Sequence, residues 1–159
     1  MVFKFDLKKL IFSILIPLAV GGLSALISGG GMGFYKTIQK PPLSPPGIVF
    51  PIVWTFLYIL MGISLYLVIV KKDMYQSKTS AYLAFALQLL LNFIWSPVFF
   101  SANEYLAAFI ILILLWLSII GMIVTFFRIS KLAGLLQIPY LIWVTFAGYL
   151  NFAIYLLNK

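Results

Sequence analysis

An all-α integral membrane protein, a bundle of five transmembrane helices, is the fold class that the sequence predicts. Three observations carry it. The 159-residue chain is 64% apolar. It holds five apolar runs, each near the roughly 20 residues a helix needs to cross a hydrocarbon core about 30 Å thick. Its three acidic residues, Asp6, Asp73 and Glu104, all fall in the N-terminal tail or the connections. Lipid offers no hydrogen-bond partners, so such runs satisfy their own backbone groups as helices. The whole chain, 1–159, reads as a single membrane domain with helices at about 8–28, 49–71, 79–101, 104–127 and 132–157.

The first run outlasts the apolar core of a signal peptide. It ends on Ser28-Gly29-Gly30-Gly31 rather than at a small-x-small cleavage site, so it is expected to be retained. Gly21, Ala25 and Gly29 recur every four residues along it, a ridge that allows close helix approach. The connection that follows, about Gly29 to Ile48, opens with glycines and continues as Lys40-Pro41-Pro42-Leu43-Ser44-Pro45-Pro46-Gly47. Proline fixes φ, so Pro41, Pro42, Pro45 and Pro46 make a stiff segment, expected to cap one end of the bundle as a lid or binding-site wall. A plain spacer between distant helix ends is the competing reading.

In the second run Trp54 and Tyr58 stand four apart, just after Pro51. The third places Gln88, Asn92 and Trp95 at i, i+4 and i+7, on one helix face. Two amides at membrane depth are costly unless paired, which turns that face inward. The fourth run holds Trp116, to which no site role is given. In the fifth, Trp143, Ala147 and Asn151 share a face, and Pro139 is expected to kink the helix. The other three connections are short, which predicts that consecutive helices lie antiparallel and adjacent.

The net charge of +8 is unevenly spread. Lys4, Lys8, Lys9, Lys71, Lys72, Lys78, Arg128 and Lys131 fall on the side of the N-terminus; Lys36, Lys40 and Lys159 fall on the other. Eight against three places the N-terminus in the cytoplasm and the long first loop outside. The basic excess then reads as topology and contact with anionic lipid, not as nucleic-acid binding.

Several functions are excluded by what the chain lacks. With no histidine and no cysteine, the usual zinc and copper ligands and the strong haem ligands are missing, so no metal site is expected. No carboxylate lies inside a run to carry a coupling charge. No conventional acid–base pair is expected either, and no cofactor is required. With this topology, Trp54, Asn92, Trp95 and Asn151 occupy the outer parts of their helices beneath the proline-rich loop, with Trp143 near mid-depth. Aromatic walls with a few polar groups suit a flat, largely apolar ligand. An interfacial aromatic belt and simple interhelical amide bonds are the competing reading.

These residues resemble the translocator protein family, also called tryptophan-rich sensory proteins or peripheral benzodiazepine receptors. Three blocks in order carry the resemblance: Lys40-Pro41-Pro42-Leu43-Ser44-Pro45-Pro46 through Phe50-Pro51-Ile52-Val53-Trp54-Thr55-Phe56-Leu57-Tyr58; Leu91-Asn92-Phe93-Ile94-Trp95-Ser96; and Pro139-Tyr140-Leu141-Ile142-Trp143 with Phe146-Ala147 and Leu150-Asn151. The resemblance covers essentially the whole chain and points to a bacterial member in the cell membrane. It implies a five-helix bundle, commonly a homodimer, that binds porphyrins such as protoporphyrin IX and synthetic benzodiazepine or isoquinoline carboxamide ligands. Carried onto this chain, it implies ligand contacts from Trp54, Tyr58, Gln88, Asn92, Trp95, Trp143, Ala147 and Asn151.

Light-dependent oxidative breakdown of protoporphyrin, with Trp54 and Trp143 as participants, is a further activity the resemblance implies. Downhill transport of porphyrins or other amphiphiles is the alternative function. Leu150, Tyr155 and Lys159 satisfy the loose cholesterol pattern, but the sequence ends without the Tyr-Val-Trp-Arg type segment of animal members, and a sterol is not the expected ligand.

Overall fold

The structure, a computed structural model, describes residues 5–72 and 77–159; Lys4 and Asp73 lie outside the described residues. Seven helices are formed among the described residues: α1 (Leu7–Ile27), α2 (Met32–Thr37), α3 (Val49–Val70), α4 (Thr79–Phe100), α5 (Tyr105–Ile129), α6 (Lys131–Leu135) and α7 (Ile138–Leu157). Five spans are long and apolar enough to cross a membrane, α6 and α7 together forming the last. Their outward faces carry large apolar side chains, among them Ile11, Leu15, Leu83, Leu87, Leu117 and Ile142. Such a girdle suits lipid, and the protein is an integral membrane protein.

Local chemistry sets the helix ends. Asp6 caps α1 by accepting from the Lys9 backbone N–H, and that bond holds its carboxyl below the usual range. Three successive glycines, Gly29, Gly30 and Gly31, take positive φ after α1 and turn the chain into the short α2. Ser130 caps α6 by accepting from the Ala133 N–H.

Two expectations need correction. Pro139 does not kink a continuous fifth helix. The helix breaks at Leu136–Gln137, and Pro139 lies in the first turn of α7, where its missing N–H leaves no bond unmade. Nor do all consecutive helices approach one another closely along their backbones. α5 lies against α4 and α7, but α1 is inserted between α3 and α4 and packs on both. α3 and α4 meet instead through long side chains, Trp54 and Tyr58 reaching Trp95 and Asn92 at the loop end. Gly21 of α1 faces the Tyr58 ring, and Gly62 of α3 faces the Ile14 backbone, so α1 settles closely on α3.

The first connection is a tied-down wall. The Tyr35 hydroxyl donates to the Pro45 carbonyl at 2.8 Å, and the Tyr149 hydroxyl donates to the Pro42 carbonyl at 2.9 Å. Gln39 and Asn158 exchange two amide bonds of 3.0 Å. The loop is thereby pinned to α7, while its glycine-rich beginning joins it to α1.

Candidate ligand-binding cavity

A cavity of about 410 Å³ lies at the loop end of the bundle, between α1, the first connection, α3 and α4. One wall is made mostly of small residues: Gly21, Gly22, Ser24 and Ala25 of α1 and its C-cap Ser28, with Leu18 the one large side chain of α1 among them. The facing walls are large and aromatic: Phe50, Trp54 and Tyr58 from α3, Trp95 and Phe100 from α4, and Tyr35 from α2. The cavity exists because one helix contributes mostly small side chains where its neighbours contribute rings. A Cβ added to Gly22 would meet nothing within 4 Å.

The rings hold one another in place. Trp54 stacks on Tyr58 with centroids 5.6 Å apart, meets Tyr140 edge-on at 6.1 Å and lies 6.3 Å from Trp95. Trp95 in turn stacks on Phe99 at 5.4 Å. Such contacts favour one ring geometry and leave a preformed slot.

Beneath the cavity runs a buried hydrogen-bonded chain. The Tyr58 hydroxyl donates to Asn92 Oδ1 at 2.8 Å, Asn92 Nδ2 donates to the Tyr140 hydroxyl at 2.8 Å, and that hydroxyl donates to Gln88 Oε1 at 2.9 Å. A second chain runs from Trp95 Nε1 to Asn151 Oδ1 at 3.0 Å and from Asn151 Nδ2 to the Tyr105 carbonyl at 2.8 Å. Both chains link α4 to α7, and the first also reaches α3. The amides that are costly at membrane depth therefore have partners within the protein.

Of the eight expected ligand contacts, Trp54, Tyr58, Asn92 and Trp95 line the cavity; Gln88, Trp143, Ala147 and Asn151 do not. Gln88 and Asn151 belong to the hydrogen-bonded chains, and Ala147 is buried in the core. Trp143 stands against Phe50, a cavity wall residue, with centroids 5.9 Å apart; its buried indole N–H has no partner among the described residues. Pro41, Pro45 and Pro46 line a separate open recess, whereas Pro42 contributes its carbonyl to the α7 tie. The three residues of the sterol pattern do not share a surface: Leu150 is buried in the core, Tyr155 is half-buried and Lys159 is exposed.

Sequence reasoning missed the α1 wall, and with it Phe50, Phe100 and Tyr35. The signal available was the Gly21–Ala25 spacing, which reads equally as a packing ridge. Tyr140 was also missed, although it donates to one buried amide and accepts from another.

Comparison with known proteins bears on this site. A family model described as the TspO/MBR family matches residues 13–157. The tryptophan-rich protein TspO of Chlorobaculum tepidum is 43% identical over 125 residues, 79% of each chain. That of Archaeoglobus fulgidus is 40% identical over 154 residues, 96% of this chain and 99% of its own. The human translocator protein is 34% identical over 133 residues, 83% of this chain and 79% of its own.

Proposed function

Because the chain belongs to the TspO/MBR family, we propose that it is a membrane receptor or sensor that binds porphyrins, protoporphyrin IX foremost, in the cavity at the loop end of the bundle. Drug-like benzodiazepine and isoquinoline carboxamide ligands are further occupants of the same slot. The observation that carries this reading is the cavity itself: about 410 Å³, walled by tryptophan, tyrosine and phenylalanine on one side and by mostly small α1 residues on the other, with no charged side chain among its lining residues. That size and chemistry suit a flat apolar ring system sliding between an aromatic wall and a bare helix. The charge asymmetry supports the loop end lying outside, bacterial relatives such as that of Chlorobaculum tepidum support a bacterial cell membrane, and a homodimer is the assembly we expect.

Titration of the purified protein with protoporphyrin IX in the dark tests this reading. Saturable quenching of tryptophan fluorescence is expected. Gly22→Phe, at a position where added atoms meet only open space, places a ring in the slot. It is expected to weaken binding at least about tenfold, a loss of roughly 1.4 kcal/mol, with the melting temperature essentially unchanged. Equal affinity in both proteins would remove the cavity from the reading.

Light-driven breakdown of the bound porphyrin extends the proposal to chemistry. Trp54 lines the cavity and Trp143 is set against Phe50, outside the lining. Trp54→Phe is therefore expected to slow photobleaching more than Trp143→Phe, measured as porphyrin absorbance lost per unit of light. The reverse order would make Trp143 the closer participant.

A further inference from the structure

A second recess, of about 560 Å³, lies on the other face of the first connection and is lined by Tyr35, Lys36, Lys40, Ser44 and the prolines. It shares two wall residues, Tyr35 and Gly47, with the aromatic cavity. The two spaces are thus neighbours across one ring and one glycine. Their chemistry is opposite: the inner one has no charged lining residue, and the outer one has two lysines.

Lys40 has a defined position. Its ammonium lies 4.7 Å from the centroid of the Tyr35 ring, a cation–π distance. The Tyr35 hydroxyl is committed to the Pro45 carbonyl, and its ring packs edge-on against Phe50 at 5.1 Å. Burial pushes the Tyr35 phenol up, so it remains neutral. A chain of contacts therefore runs from Lys40 through Tyr35 to Phe50 in the wall of the aromatic slot. No carboxylate lines either space, and no ion pair is made by Lys36 or Lys40 among the described residues. Two of the three basic residues on the loop side of the bundle converge here.

We propose that Lys36 and Lys40 form an anion-recognition rim, which makes the receptor selective for planar apolar ligands that end in carboxylates over their uncharged counterparts. This deepens the porphyrin reading and rests on it. The ring system enters the slot, and its acidic edge stays at the loop, where two ammonium groups take it without any charge being buried. Ammonium groups suit this task because each is a mobile point charge that follows carboxylates of differing length.

The test compares protoporphyrin IX with its dimethyl ester, which keeps the ring and removes both charges. The full chain is placed in phosphatidylcholine nanodiscs, as wild type, as Lys36→Gln/Lys40→Gln and as Lys36→Arg/Lys40→Arg. Wild type is expected to bind the diacid at least about tenfold tighter than the ester, a preference that shrinks as salt rises. The glutamine variant is expected to bind both ligands with the affinity of the ester, and the arginine variant to keep the preference. Saturable binding of acid and ester with equal affinity by wild type overturns the rim and leaves the cavity reading standing. A preference that survives in the glutamine variant also overturns it, since the charge selection then lies elsewhere. If the preference is absent in phosphatidylcholine and the lysines instead govern retention of added phosphatidylglycerol, the rim serves a lipid headgroup and the proposal falls. Saturable binding of neither porphyrin ends both the rim and the receptor reading.

Discussion

Gly62→Ala is expected to destabilise the bundle by about 3 kcal/mol or more, the upper end of what overpacking a tight contact costs. The methyl group would overlap the backbone of Ile14, both its Cα and its amide nitrogen, as well as the first carbon of its side-chain branch. Backbone cannot rotate away as a side-chain tip can, so α1 as a whole must move off α3. That movement also opens the α1 wall of the cavity and frees the Tyr58 ring, which packs over Gly21. Gly22→Ala, on α1 and facing open space, is the matched control. It gains the roughly 0.5–1 kcal/mol by which alanine exceeds glycine inside a helix. Thermal unfolding of both variants in one detergent reads the difference. Equal melting temperatures for Gly62→Ala and wild type would mean that α1 does not sit on α3 this closely.

The two glycines show where the sequence is informative and where it is silent. Five spans are legible because a bilayer demands length and apolarity from each run separately, and acids placed only outside the runs confirm the register. Neighbour order is a different kind of property. It depends on how the facing side chains fit: α1 packs on both α3 and α4, which meet each other through long side chains such as Trp54 and Trp95. Short connections alone suggest the opposite. The break before Pro139 is similarly hidden, because a proline at the start of a helix and one inside it look alike in an unbroken apolar run.

At the candidate site, periodicity brings Trp54 with Tyr58 and Asn92 with Trp95, and all four reach the cavity. It has no means of finding the opposite wall, which consists mostly of small residues and two glycines, Gly21 and Gly22. A glycine that makes room for a ligand and a glycine that makes room for a helix carry the same letter. Intramembrane amides are ambiguous in their own way. Gln88, Asn92 and Asn151 all demand partners, and the sequence leaves open whether these are ligand atoms or other helices. Gln88 and Asn151 are occupied within the bundle; Asn92 alone both lines the cavity and holds the network together.

That double position makes Asn92→Leu the most informative change on α4. Leucine removes the acceptor of the buried Tyr58 hydroxyl and one donor to the Tyr140 hydroxyl. Tyr140 keeps its bond to Gln88, so the main cost falls on Tyr58, which is left buried beside the stacked Trp54 without an acceptor. Stranding one buried hydroxyl costs about 1–3 kcal/mol, and loosening Tyr58 also loosens the aromatic wall. The expected result is a destabilisation of about 2 kcal/mol together with weaker porphyrin binding. Tyr58→Phe in the same chain removes the stranded group, and replacing both partners by apolar atoms is close to neutral. The double variant is therefore expected to recover most of the lost stability, a coupling of about 1–2 kcal/mol in a double-mutant cycle. Binding separates the two roles. If Asn92 only supports Tyr58, the double variant regains porphyrin affinity along with stability. If the amide also touches the ligand, stability returns and affinity does not. Additive losses of stability in the double variant would instead show that the Tyr58–Asn92 bond does not hold the wall.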